Sequence, residues 1–529
     1  MERRTFIGGG AAVLTAAVTA ACTGGGANAP NATTGPTSGT TASRPGGTPT
    51  AAPTPTHAHT AAADWKALAG DLDGPLVRPG DRSWDTARRL YNTRFDGLRP
   101  AAIAYPSHTD DIRTLLSYAR AHGVRISVRN GGHSYAGWSS GDGRLVVDVS
   151  ELAGVRTSGN EAVIGAGAKL IDVYRALAAK GVTVPAGSCP TVGVSGLTLG
   201  GGHGVVSRAY GLTCDSLTRA TILTADGKQL AVGEDDHEDL FWALRGAGNG
   251  NFGIVTELRF RTHPAPQGVT AELRWPWSGA AAVVAAWQEW GPDQPDEIWS
   301  SLHLASAAGD TPSVSVSAFS LGTYGELQDA VDRLADRAGA SAGGVSLRRR
   351  SYEESMEVYA GCSSFATDAQ CHLPGGTPGR TDAGALGRET YAARSDFFDR
   401  SIPAAGVQAL LGQVAGVRGG TGSIVLTALG GAVNRVSPTA TSFVHRRSRM
   451  LAQYLVSWRA GTDGTTAGSW LAAAHRSMSR YASGAAYQNY TDPALEDWRR
   501  AYYGEAASRL AAVKKKYDPE RFFTFPQAL

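Results

Sequence analysis

The sequence predicts an α+β fold in two unlike halves, and three observations predict it. Up to about residue 266, strand pairs and helices alternate irregularly, unlike the steady strand–helix repeat of one doubly wound sheet. Beyond 266 the strand-like runs VTAELRW, EIWSSLHLA, SVSVSAFS, SIVLTALGG and MLAQYLVSW alternate with amphipathic helices such as YGELQDAVDRLADRAG. That is the texture of an antiparallel sheet with helices packed on one face. The densest glycine run, GVSGLTLGGGHG (193–204), breaks the G-x-G-x-x-G spacing that a Rossmann turn requires.

In chain order, MERRTFIGGGAAVLTAAVTAAC comes first. Its Arg3–Arg4 pair and short, weakly apolar stretch read as a signal segment, too short to span a bilayer comfortably. The arginine pair resembles a twin-arginine export signal, and the small residues before Cys22 resemble a lipobox. Thr19 stands where a lipobox prefers leucine, so lipid attachment at Cys22 and plain cleavage both stay open. Residues 23–63 are Thr, Pro, Gly and Ala with almost no large apolar side chains to offset chain entropy, and a disordered tether is expected. The expected organisation is a signal at 1–22, the linker at 23–63, a first domain at 64–266, a second at 267–484 and a C-terminal segment at 485–529. The expected location is extracytoplasmic, with a membrane reached only through Cys22.

Within the first domain, DDIRTLLSYARAHG (110–123) has helical apolar spacing and a glycine stop. VRISVR (124–129) is a strand feeding the loop RNGGHSYAG. RLVVDVS (144–150) and EAVIGAGA (161–168) read as strands, and KLIDVYRALAAKG (169–181) as a helix. TRATILTADGKQLAV (218–232) reads as a hairpin turning at Ala-Asp-Gly. DHEDLFWALRGAGNGNFGIVTELRFRTHP (236–264) reads as a helix, a glycine loop and a strand.

Fifty basic and 47 acidic residues leave a formal charge of +3, with no long basic run, which argues against a nucleic-acid partner. RRR (348–350) and KKK (514–516) read as solvated element ends. Of five cysteines, Cys22 belongs to the signal, and Cys362 and Cys371, nine apart in an exported chain, predict a local disulfide. Cys214 reads as a small buried apolar residue, and Cys189 has no obvious partner.

Two segments carry the chemistry. In RNGGHSYAG, glycines let the backbone approach a ligand and turn N–H groups toward an anion. Asn130, Gly131, Gly132 and Ser134 are therefore a candidate pyrophosphate cradle, with His133 facing the ligand. Taken alone, His133 reads first as a loop histidine with a structural hydrogen bond. In PAGSCPTVGVSGLTLGGGHG (185–204), glycines interleaved with Val192, Val194, Leu197 and Leu199 suggest a flat, large ligand lying against the backbone. Cys189 beside such a ligand would ligate metal or bond covalently, and no C-x-x-C or H-x-x-x-H pattern supplies metal companions, so no metal is expected.

RNGGHSYAG, PAGSCPTVGVSGLTLGGGHG and YQNYTD, in that order, with YDPERFF near the end, resemble the berberine bridge enzyme-like flavoproteins of the vanillyl-alcohol-oxidase/PCMH superfamily. The resemblance runs over nearly all of residues 75–529. It implies a PCMH-type FAD-binding domain of two α+β subdomains, completed by the C-terminal segment, and a substrate domain between. It implies FAD attached twice, through His133 at the flavin 8α-methyl and Cys189 at C6. Arg129, Asn130, Gly131, Gly132, His133 and Ser134 would hold the pyrophosphate, and Gly193, Gly196, Gly201 and Gly202 would line the ring and phosphates. The strand carrying Gly253, Ile254 and Val255 would run beside the adenine half. Val192 falls where oxygen-using members often carry a small valine. Tyr490 is the implied general base, with a pKa brought down from about 10. Tyr487 would assist, and Asn489 would bond the flavin or position Tyr490.

The function expected from this is an exported FAD-dependent oxidase. It would oxidise an alcohol, either a sugar or oligosaccharide lactol or a natural-product hydroxyl, and reduce O2 to H2O2. A flavin-dependent dehydrogenase or oxidative cyclase keeps the same fold. A ligand-binding surface lipoprotein is the third reading, and it gives no reason for His133, Cys189 and Tyr490 to occur together. In the second domain, Trp275, Trp277, Trp299, Tyr359 and Phe365 would stack on sugar rings or belong to the core.

Overall fold

The computed structural model describes residues 63–529; the signal, Cys22 and the tether up to residue 62 lie outside the described residues. The first half builds a four-stranded and a five-stranded sheet over a large shared apolar core, with a two-stranded pairing of His263–Pro264 and Val182–Thr183 and a smaller apolar cluster around Val77, Ile103 and Val146. In the four-stranded sheet the order is Leu76–Val77, Ala102–Ala104, Leu145–Asp148, Ile126–Arg129, and Leu145–Asp148 runs parallel to both neighbours. A parallel pair needs a crossover, and the helix Thr109–Ala121 provides it, burying Ile112, Leu115, Leu116 and Ala119 on one face. The helix ends at Gly123, whose φ of 63° lies in the left-handed region that glycine adopts freely.

The five-stranded sheet is antiparallel, in the order Val155–Ser158, Glu161–Gly165, Ile254–Arg261, Leu217–Leu223, Gln229–Gly233. The predicted hairpin is its Leu217–Leu223/Gln229–Gly233 pair. The helices Leu170–Ala178 and Glu238–Ala247 fall within the predicted spans.

The second half is a seven-stranded antiparallel sheet. Its order is Gly344–Arg350, Gly268–Trp275, Ser313–Ser320, Ile298–Ala307, Thr421–Ala428, Met450–Ser457, Tyr391–Phe398. Side chains alternate across a strand, so each strand serves two faces. Leu302, Leu304, Val316 and Leu426 pack in one core with the helices Ala280–Trp290, Tyr324–Ala338, Ala404–Ala415 and Thr465–Ser479. The residues between them, Ser301, His303, Ser317 and Thr427, belong to the other face. The two outer strands were not among the runs picked out in the sequence. Gly344–Arg350 ends in the RRR triplet, and its residues are mostly exposed, as suits an edge strand.

The KKK triplet departs from expectation. It lies in the helix Ala507–Tyr517, yet Lys514 is buried. Its ammonium is held 2.7 Å from Asp518 and donates to the carbonyls of Asn251 and Phe523. A buried carboxylate and two inward carbonyls draw one lysine of three out of solvent, which a charge run cannot reveal. The C-terminus is held by the same asparagine, since the Leu529 N–H donates to Asn251 Oδ1 at 3.1 Å. Cys362 and Cys371 form a disulfide, and Cys214 is free and buried.

Candidate active site

A cavity of about 400 Å3 is walled by the loop after Ile126–Arg129, the segment 187–205, the seven-stranded sheet and the C-terminal segment. Asn130, Gly131, Gly132, His133, Ser134, Cys189, Val192, Gly193, Gly196, Tyr487, Asn489 and Tyr490 all line it. These segments lie far apart in the chain, and the sheet registers bring them together.

The cradle is built by close backbone approach. A Cβ at Gly131 would come within 2.7 Å of the Gly193 nitrogen, so both loops need glycine where they touch. Asn130 ties the loops together, its Nδ2 donating to the Ala166 carbonyl and its Oδ1 accepting from Lys169 Nζ at 2.5 Å. His133 stacks on Tyr91 with ring centroids 4.1 Å apart. Its Nε2 shares a hydrogen bond with Thr191 Oγ1 at 2.8 Å. Burial, with Lys169 and Arg380 nearby, holds its pKa down to about 3, so the imidazole is neutral.

The tyrosines form one aromatic group. Tyr490 stacks on Tyr135 at 5.1 Å and meets Tyr487 edge-on at 5.0 Å. Its hydroxyl lies 2.9 Å from His203 Nε2, and burial holds His203 down to about 4. Tyr487 faces different partners. Its oxygen accepts from the Gly202 N–H and from Asn489 Nδ2, both at 2.9 Å. Asn489 therefore positions Tyr487, not Tyr490. Its Nδ2 also donates to the Leu197 carbonyl, and its Oδ1 accepts from Asn249 at 2.7 Å.

Several expectations need correction. The expected lowering of the Tyr490 pKa is reversed: burial pushes it well up, and the Tyr135 and Tyr487 phenols push the same way. The groups around it are neutral phenols and a neutral imidazole, and no cation stands beside it to stabilise a phenolate. Arg129 lines the cavity as well, but most of its guanidinium is already engaged. Its guanidinium is paired with Asp148 and donates to the Ala87 carbonyl, residues that belong to other walls. Gly201 and Gly202 are not lining residues; their φ values of 114° and 83° and their contacts with Phe443 and Thr213 show that the turn itself requires glycine. Gly253, Ile254 and Val255 are not lining residues either. They sit at the start of a central strand, and Ile254 and Val255 are buried in the apolar core. Asn249, Gly250 and Asn251, just before them, do reach the cavity. Cys189, for which the sequence made no partner obvious, is disulfide-bonded and not a free thiol.

The sequence reading missed His203, Tyr135, Gln453 and the polar face of the second sheet. His203 stands in the GGGHG run, the same glycine setting that singles out His133. Gln453 Nε2 donates to the Tyr135 hydroxyl at 2.7 Å, across 318 residues. Ser301, His303, Ser317 and Thr427 line the cavity beside Trp299 and Tyr359. Of the other aromatics weighed for stacking, Trp275 is core, Trp277 packs on that core and Phe365 packs on a separate cluster. Behind Ser317, the Glu272 carboxylate accepts the serine hydroxyl at 2.5 Å, and burial pushes its pKa up to about 7.

The lining suits a flat ligand with polar edges. His203 Nδ1, Asn249 Oδ1 and Gln488 Oε1 are buried at the cavity without hydrogen-bond partners, and buried polar atoms call for partners. Together with the glycine cradle they fit the ring and chain of a flavin dinucleotide.

Comparison with known proteins points the same way. Residues 100–233 match the family model described as FAD binding domain, and residues 486–529 match the model described as berberine and berberine like. The chain is 31% identical over 464 residues to the FAD-linked oxidoreductase YgaK of Bacillus subtilis, covering 87% of this chain and 97% of that protein. It is 30% identical over 474 residues to a chitooligosaccharide oxidase of Gibberella zeae, covering 86% and 92%. Among solved structures, BBE-like 1 of Physcomitrella patens superposes with a TM-score of 0.79 at 30% identity, over 88% of this chain and 98% of that one.

Proposed function

The chain belongs to the berberine bridge enzyme-like family of FAD-linked oxidoreductases, and from that premise we propose that it is an oxidase of carbohydrate hydroxyls. The proposed substrate is an oligosaccharide or other sugar lactol, with O2 as electron acceptor and H2O2 as product. One observation carries the substrate class. The second sheet gives the cavity a run of hydroxyl, imidazole and amide groups, Ser301, His303, Ser317, Thr427 and Gln453, beside the rings of Trp299 and Tyr359. Polar groups of this kind pair with ring hydroxyls, and aromatic rings cover the C–H faces of sugars. The relative named as a chitooligosaccharide oxidase supports the same class.

FAD, when bound, supplies the two-electron acceptor for the substrate's hydride. Tyr490 takes the proton of the substrate hydroxyl. Burial keeps Tyr490 a phenol at rest, so it sheds its own proton before it takes the substrate's; its hydroxyl shares a 2.9 Å hydrogen bond with His203 Nε2. Tyr135 and Tyr487 hold the ring in place from two sides.

Covalent attachment of the flavin belongs to the proposal. Thr191 occupies His133 Nε2, which leaves Nδ1 of a neutral imidazole as the bonding atom for the 8α position. A second bond, from Cys189 to C6, forms only in protein whose Cys189 is a thiol when flavin loads. Export through the Arg3–Arg4 leader, with Cys22 as a lipid anchor or a cleavage point, completes the reading.

The test is direct. Purified protein is expected to stay yellow after acid precipitation, to yield flavin-bearing peptides containing His133 and Cys189, and to release peroxide with oligosaccharides. Flavin bleaching by a sugar without peroxide overturns the oxidase step. No bleaching by any carbohydrate overturns the substrate class. A flavin peptide with His133 but without Cys189 overturns the second bond alone.

A further inference from the structure

A second, smaller cavity lies behind the glycine cradle and takes no part in the chemistry above. It shares Arg129, Asn130, Gly131 and Gly132 with the large one, and its other walls come from Tyr105, Asp148, Lys169 and the segment 377–380. Its volume is about 30 Å3.

The charge around it does not balance. Arg89, Arg129, Lys169 and Arg380 line it, against one acid, Asp148. Asp148 is engaged by the buried Arg129. The buried Lys169 donates to Asn130 Oδ1 at 2.5 Å, Ser150 Oγ at 2.8 Å and the Gly167 carbonyl at 3.2 Å, all neutral acceptors. Arg380 donates to the Arg89 carbonyl at 3.0 Å, again a neutral partner. Hydrogen bonds to neutral groups satisfy the protons and leave the charge. The cations feel one another. Burial, then Arg129 and Arg380 against the pull of two aspartates, holds Lys169 down to about 8, and burial with Arg129 holds Arg380 down to about 10.

One polar atom points to a missing ligand. Arg129 Nη1 is buried with no hydrogen-bond partner, while Thr377 Oγ1 lies beside the Tyr105 hydroxyl. The rest of the Arg129 guanidinium bonds to Asp148, Ala87 and Tyr105, all of them walls of this cavity and none of the larger one. Size then decides what fits. A water needs roughly 10–15 Å3 of such space, so there is room for two waters or one halide, and a pyrophosphate is too large.

We propose that this cavity binds one small monovalent inorganic anion of the chloride class, held between Arg129, Lys169 and Arg380. The anion neutralises the excess positive charge behind the cradle. It also braces it, because Lys169 holds Asn130, and Thr191, whose hydroxyl holds His133 Nε2, lines the same cavity.

Crystals of the flavin-loaded protein grown in sodium bromide test the proposal by anomalous scattering. A bromide peak within hydrogen-bond distance of Arg129 Nη1, lost in Arg380→Gln, is the expected result. Density without an anomalous signal means water and overturns it, as does a flavin phosphate oxygen in the cavity. In solution, bromide in place of gluconate at equal ionic strength is expected to raise the melting temperature by roughly 1–3 °C in the parent protein. Arg380→Gln should not respond. Thr377→Val, which keeps every cation, should respond less, and it serves where Arg380→Gln does not fold. An equal rise in parent and Thr377→Val overturns the site. None of these readouts depends on the substrate, so failure here leaves the proposed oxidase reaction standing.

Discussion

Tyr490 and Glu272 are the residues whose environments make the sharpest predictions. Tyr490→Phe keeps the stack on Tyr135 and removes the hydroxyl that meets His203. Flavin content should be unchanged and substrate-driven flavin reduction should fall ~10²–10⁴-fold, the usual size of a lost proton-transfer group, read by stopped-flow absorbance. Glu272 acts on stability. Its folded pKa, about 7, lies above the usual carboxyl value, so its contribution is fully present below the unfolded pKa and lost as pH rises through 7. Glu272→Gln still accepts the Ser317 hydroxyl and has no charge to bury. Melting scans should show the variant overtaking the parent above pH 7, by on the order of 2 kcal/mol. Glu389, also pushed up to about 7 by burial, keeps part of the slope in both proteins. At this scale the sequence reading found the lining residues His133, Cys189, Tyr487 and Tyr490, because glycine context and a short aromatic motif mark them. It misjudged the direction of the Tyr490 pKa, since that depends on which groups surround the phenol.

At the scale of elements, the turn after the helix Val194–Leu199 is intolerant of change. Gly201 has φ 114°, and a Cβ there would meet the Phe443 ring at 2.8 Å. Gly201→Ala should cost about 1–3 kcal/mol from backbone strain alone, measured by urea denaturation. It should also lower flavin content, because Phe443 packs edge-on against Tyr487. The glycine run was plain in the sequence, and its meaning divided on folding. Gly193 and Gly196 reach the cavity, while Gly201 and Gly202 serve the turn. The strands of the second sheet were equally plain from their alternation, but alternation names two faces without saying which one meets helices and which meets a ligand. Ser301 and His303 acquired their place only when the helices covered Leu302 and Leu304.

At the scale of the molecule, the C-terminal segment closes the structure, and Lys514 is the point to test. Lys514→Met leaves the Asp518 carboxylate buried beside the Phe522 and Phe523 N–H groups without its cation. The cost should be about 3–5 kcal/mol in urea denaturation. Lys516→Met, at an exposed position two residues on, should stay within about 0.5 kcal/mol. The order of residues was enough to determine an α+β chain in two unlike halves, the helices and most strands, and the family with its FAD, because periodicity, turn chemistry and short motifs are local. Packing decided which glycines face a ligand, that Arg129 pairs with Asp148, that His203 meets Tyr490, and that Lys514 is buried. Each of those depends on side chains brought together from distant parts of the chain, and burial and Coulomb forces act on distance in space, not on distance in sequence.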